Sequence, residues 1–208
     1  MDGVFMRKYK NMLLFCLVLT VTVWTCSLVS DKQTLRRELV RLHVVAASDS
    51  AADQAMKLQV KDAVVESLKA EMENLRSAEE AKTYLQKNLP KIEALANRIL
   101  QEAGSTDTAA VSLAVEEFSA RVYDTFTLPA GLYEALRITI GEGDGKNWWC
   151  VVFPTLCLPA TADGFEETAS CAGFSDSLTA ALEGADGYEI RFWVLDAWGK
   201  LENFLHRG

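Results

Sequence analysis

Leu39-Val40-Arg41-Leu42-His43-Val44-Val45-Ala46-Ala47, followed at once by Ser48-Asp49-Ser50, is the stretch on which the fold turns. The run is β-branched and partly alternating. Successive side chains of a strand point to opposite sides of a sheet, so this pattern predicts a first strand with one or both faces buried. Ser48-Asp49-Ser50 ends it. Ser50 and Asp53 then form a capping-box-like pair, in which short oxygen-bearing side chains satisfy the free amide donors of a helix start. A long helix should follow, because Met56, Val60, Ala63, Val64, Leu68, Met72 and Leu75 recur at intervals of three and four. Lys57, Lys61, Asp62, Glu66, Lys69 and Glu73 fall largely on its other, solvated face.

Further along the chain, Ser77 and Glu80 repeat the capping signature, and a second helix is expected as far as Asn88. Pro90 lacks an amide donor and restricts Leu89, which predicts a break or kink there. Ile92, Leu95, Ala96, Ile99 and Leu100 would line a third helix ending at Gly104. From Ala109 the period changes to two, through Val111, Leu113, Val115, Phe118, Val122, Tyr123 and Phe126, as in antiparallel strands. Pro129-Ala130-Gly131 reads as a turn, Leu132 to Leu136 as a short helical turn, and Arg137 to Ile140 as strand. Gly141-Glu142-Gly143-Asp144-Gly145-Lys146-Asn147 reads as a flexible loop into the strand Trp148 to Phe153. Residues 158–187 are loop-rich and weakly helical around 177–182; Tyr188 to Val194 reads as a last strand, with Asp196 capping a terminal helix. The expected class is α+β: a mixed or antiparallel sheet of about five strands packed by the N-terminal helices.

Towards the N-terminus, Arg7, Lys8 and Lys10 precede an apolar run from Met12 to Val29 interrupted only by Thr20, Thr22, Thr25 and Ser27. A basic end held inside and a greasy segment that partitions into the bilayer make a secretory signal. About 20 apolar residues also suffice for an uncleaved anchor, and the sequence leaves both readings open. Either way the positive-inside bias sends residues 31–208 outward. A lipoprotein site at Cys26 fits poorly, since Val23, Trp24 and Thr25 are not small. The division expected is a leader or anchor over residues 1–30 and one exported domain over 31–208, joined by a polar connector from Ser30 to Leu35.

The 208 residues suit a single domain, and half of them are apolar, which excludes a disordered chain. The net charge is −8, and after residue 30 there are 18 basic and 28 acidic residues, which argues against a nucleic-acid partner. Of five cysteines, Cys16 and Cys26 belong to the leader, so Cys150, Cys157 and Cys171 reach an oxidising compartment. Cys150 and Cys157 are the candidate disulfide, closing a short loop around Pro154; the alternative is three small buried apolar residues.

Chemical motifs are sparse. The two histidines, His43 and His206, stand at opposite ends of the chain, and the cysteines lack paired short spacings, so no metal or cofactor is expected. The glycine loop lacks the Walker spacing, and Glu142 and Asp144 would repel phosphate. No serine occupies a nucleophile elbow, and Asp49-Ser50-Ala51 lacks the glycine of an aspartic-protease loop. His43 inside an apolar strand reads as a hydrogen-bonded structural residue. Tyr133, Trp148 and Trp149 supply large amphipathic area beside a polar loop. One of the two adjacent indoles must point away from the core, and that one is the candidate partner-binding anchor.

Two long segments resemble the stage II sporulation protein R family: Arg41 to Ser50, continuing through Asp53-Gln54, Lys57 and Lys61-Asp62, and Tyr133 to Gly143, continuing through Asn147 to Pro154 and on to Leu156-Cys157. The resemblance covers most of residues 39–157, with Thr155 standing where a second proline would be expected. It implies secretion across the forespore membrane into the space between forespore and mother-cell membranes. There the family is thought to activate a membrane-embedded aspartic-type protease, stage II sporulation protein GA, which processes the precursor of sigma-E. No catalytic residue and no small-molecule substrate come with it. The candidate partner-binding set is His43, Asp49, Ser50, Asp53, Gln54, Tyr133, Glu142, Asn147, Trp148 and Trp149. The rival class is an exported hydrolase of cell wall or peptide, with Asp49, Asp53, Glu142 or His43 as acid or base; a third is a tethered structural protein.

Overall fold

The strand Val40–Val45 (β1) lies inside a four-stranded mixed sheet of order β2-β5-β1-β6, where β2 is Ala109–Phe118, β5 is Gly131–Ile140 and β6 is Asn147–Phe153. This computed structural model describes residues 2–123, 126–154, 169–170, 173–185, 187 and 189–207. β1 runs parallel to β5, with Leu42 opposite Leu136, and antiparallel to β6, with His43 opposite Trp149. Its six residues are all buried, because helices cover both faces of the sheet and both side-chain rows lose their water.

On one face, Val40, Leu42 and Val44 pack with Val60, Val64, Leu68 and Met72 of α2 (Ala51–Asn74) and with Leu85, Ile92, Ala96 and Leu100 of α3 (Ala78–Glu102). The caps are as the sequence implies: the Ser50 side chain accepts from the Asp53 amide and that of Ser77 from the Glu80 amide. On the other face, Leu39, Tyr133, Ala135, Val151 and Phe118 form a second core. It is completed by Leu28 and Leu35 of α1 (Asp2–Glu38), Leu178 and Leu182 of α4 (Asp176–Glu183) and Leu195 of α5 (Glu189–His206). A separate two-stranded ribbon, β3 (Arg121–Val122) with β4 (Thr127–Leu128), lies against this second core through Phe126 and Leu128.

Five expectations are corrected. The connector from Ser30 to Leu35 is helix, continuous with the apolar segment, because Leu28 and Leu35 are buried and Asp31 accepts from Arg191 Nε at 2.7 Å. The domain's packing therefore starts at Leu28. Pro90 does not divide α3, which runs unbroken through it. Its ring is exposed, and Leu85 and Ile92 on either side share one core, so packing outweighs one missing hydrogen bond. Leu132 to Leu136 is strand, not a helical turn, since β5 is central and pairs along both edges. The mixed α+β sheet is as expected, with six described strands, four in the sheet and two in the ribbon.

Residues 189–194 are helical, not a last strand, and Tyr188 lies outside the described residues. Arg191, Leu195 and Gly199 recur every four residues on the buried side of α5. Asp196 is no cap; within the helix it accepts from the Ala130 amide at 2.9 Å. A Cβ on Gly199 would sit 1.5 Å from the Ala130 carbonyl, so glycine allows α5 to lie directly on that turn. Ile190, Trp193, Leu201, Phe204 and Leu205 of this helix point outward.

α1 is long and apolar enough to cross a membrane, with mean hydropathy 2.3 in its most apolar window and 6% of that window buried. A signal sequence and an anchor both have this form.

Candidate functional site

The two sequence segments singled out above meet at the end of the sheet opposite the junction of α1 with β1. One contributes the turn from β1 into α2, the other the loop from β5 into β6. Backbone amides of Asp144 and Gly145 donate to the carbonyls of Ala47 and Ala46, at 3.3 and 3.0 Å. The Lys146 amide donates to Asp49 Oδ1 at 2.7 Å. Lys57, one turn into α2, bridges both loops: its ammonium donates to Gln54 Oε1 at 2.7 Å and to the Lys146 carbonyl at 3.0 Å. Gln54 Nε2 donates in turn to the Ser48 carbonyl at 2.9 Å, and the Ser48 hydroxyl to the Asp53 carboxylate. The glycine loop, read as a flexible turn, is thus pinned at consecutive amides. A Cβ on Gly145 would fall 2.3 Å from the Ser48 carbonyl oxygen, so the two backbones can approach this closely only at a glycine.

The electrostatics follow from these contacts. Hydrogen bonds from the Ser48 and Ser50 hydroxyls hold the Asp53 carboxyl below its ordinary value. Burial pulls the Lys57 ammonium down, opposed by the Asp49 charge. Lys57 was assigned to a solvated face, yet only 5% of it is exposed. Its stem follows the apolar wall while its head satisfies two acceptors, which no helical periodicity discloses.

Asp49, Ser50, Glu142, Asn147 and Trp148 are exposed around this platform, and Asp53 and Gln54 are half-buried within it. Trp148 and Trp149 point to opposite faces of β6. Trp148 is 38% exposed, with the Lys61 ammonium 4.8 Å from its ring centre. Trp149 turns to the second core and stacks on His43, centroids 3.8 Å apart. His43 is buried, and its Nδ1 lies 2.7 Å from Glu116 Oε2; Glu116 Oε1 also accepts from Arg137 Nη1 at 3.2 Å. Glu116 on β2 thus meets His43 on β1 across the intervening strand β5. Tyr133, expected at a surface, is buried at 3% exposure and donates to the Pro129 carbonyl at 2.8 Å, so direct contact with a partner is closed to it. Cys150 is disulfide-bonded; its candidate partner Cys157, and Cys171, lie outside the described residues.

The platform therefore joins seven of the ten predicted residues; His43 and Tyr133 are buried in the interior, and Trp149 is half-buried against the second core. Sequence reasoning missed Lys57, Arg41, Glu116 and Arg137. A signal existed for Arg41: with His43 it places two polar side chains on one face of an apolar strand. Among the described residues, no three His, Cys, Asp or Glu side chains are grouped to hold a metal ion.

The family model described as Stage II sporulation protein R (spore_II_R) matches residues 36–163, a span that holds the whole sheet and both platform loops. Stage II sporulation protein R of Bacillus subtilis (strain 168) is 37% identical over 127 residues, covering 61% of this chain and 57% of the relative. The alignment thus spans little more than half of that relative's length. No solved structure matches the chain.

Proposed function

Because the chain belongs to the stage II sporulation protein R family, we propose that it acts in sporulation as an exported signal that works by contact. In this reading α1 carries the chain across the forespore membrane, as a cleaved signal or as a retained anchor. The platform then engages stage II sporulation protein GA in the mother-cell membrane and triggers processing of pro-sigma-E. One observation supports the reading: two segments as far apart in sequence as Asp49 and Lys146, 97 residues, interlock through backbone and buried-lysine contacts and present Asp49, Glu142, Asn147 and Trp148 to solvent. Such a surface suits recognition, in which a few exposed aromatic and charged groups carry most of the binding energy. Activation then needs only that the partner's active form bind more tightly than its resting form, which shifts the population.

The hydrolase reading draws no support from the geometry. His43 is buried with Glu116, and among the described residues no hydrogen bond or ion pair links it to Asp49, Asp53 or Glu142.

The test is co-expression of the full chain with the protease and its precursor substrate, with processing as the readout. Trp148→Ala and Asp49→Ala should each lower processing in a graded way. Normal processing with both variants would refute the assignment of this surface. Near-total loss at a single carboxylate, with the fold intact, would favour an enzyme.

A further inference from the structure

Among the described residues, the second face of the sheet encloses a charge that no opposite charge balances. Arg41 is fully buried, at 0% exposure. Its Nη2 donates to the Tyr123 hydroxyl at 2.7 Å, while Nε and Nη1 have no partner among the described residues. The guanidinium carbon lies 3.9 Å from the centre of the Phe118 ring and 5.1 Å from that of Tyr133. Those π faces attract a cation but leave its in-plane N–H groups unused. Among the described residues, the charged side chain acting on it is Arg121, a second cation. Glu116, the acid on this face of the sheet, is engaged by His43 and Arg137. A buried charge left in this state is strongly unfavourable unless an opposite charge joins it.

The surroundings are donor-rich. Two residues along the same strand face, His43 Nε2 is also buried without a partner among the described residues. Arg121 lies 5.5 Å over the Trp149 ring that stacks on His43. Tyr123, in accepting from Arg41, keeps its own phenolic proton to give. It stands at the end of the β3–β4 ribbon, stacked on Phe126 at 4.7 Å, so the ribbon forms the cover.

We propose that Arg41, Tyr123 and Arg121 form a binding site for an oxyanion, carried as a carboxylate or a phosphate group, that docks beneath the β3–β4 ribbon. The oxyanion takes its hydrogen bonds from the free N–H groups of Arg41 and the Tyr123 hydroxyl, and Arg121 closes over it. This site stands whether or not the platform signals.

The full chain in detergent is titrated with sodium acetate, and separately with inorganic phosphate, at ionic strength matched by chloride, while thermal unfolding is followed. A saturable rise in midpoint with either anion is expected, as a ligand of the native state requires. Response to acetate alone identifies a carboxylate, and to phosphate alone a phosphate group. Arg41→Met keeps an apolar stem on Phe118, removes the charge and should abolish the rise. Tyr123→Phe should weaken the apparent affinity about tenfold. The proposal fails if the unmodified protein responds to neither anion, or if Arg41→Met responds as it does. Should Arg41→Met not fold, an unchanged affinity in Tyr123→Phe overturns it.

Discussion

Glu116 holds two partners on one carboxylate, His43 Nδ1 at 2.7 Å and Arg137 Nη1 at 3.2 Å. Burial alone would raise its pKa; the bonds and charges of His43 and Arg137 outweigh burial and lower it. A carboxyl depressed in the folded state contributes stability above its unfolded value and loses it as the pH falls through the folded one. The protein should therefore lose stability as the pH drops below about 4. Glu116→Gln should flatten that part of the profile and cost about 1–3 kcal/mol at neutral pH, measured by denaturant unfolding. An unaltered acid limb in the variant would show that Glu116 is not the group responsible. The alternation of β2 sets Glu116 on the face opposite Val111, Leu113 and Val115, but its partners come from β1 and β5, and no local pattern names them.

At the scale of elements, the legible features were those fixed by neighbouring residues. Ser50 and Ser77 cap α2 and α3, and β1 stands where its β-branched run places it, because each depends on a few adjacent side chains. Residues 189–194 mislead because Ile190, Phe192, Trp193 and Val194 have strand-forming shapes. Their state is decided by Arg191 reaching Asp31, 160 residues away in sequence. Lys57 misleads for the same reason, its acceptor being the distant Lys146 carbonyl. Lys57→Met should strip two acceptors of their donor and destabilise by about 1–3 kcal/mol. Hydrogen exchange should show amides 144–146 opening faster in that variant, with those of β1 and β5 still protected. Unchanged exchange at 144–146 would mean that Lys57 does not hold the loops together.

Across the whole molecule, the apolar helix joins the sheet at one end of β1, and the interlocked loops sit beyond the other end. The fold class was readable because half the residues are apolar with two clear periods; the union of the two loops was not, since it depends on strand order. On the function proposed above, this union is the contact surface. It is tested most directly by measuring association between the full chain in detergent and stage II sporulation protein GA, for three proteins in parallel: unmodified, Trp148→Ala, and Trp193→Ala. Trp193 is an exposed indole on α5, away from the platform, and serves as the control. Binding by the unmodified chain is expected, with at least about tenfold weaker binding by Trp148→Ala and no change in Trp193→Ala. No association at all, or equal affinity in Trp148→Ala, would contradict it.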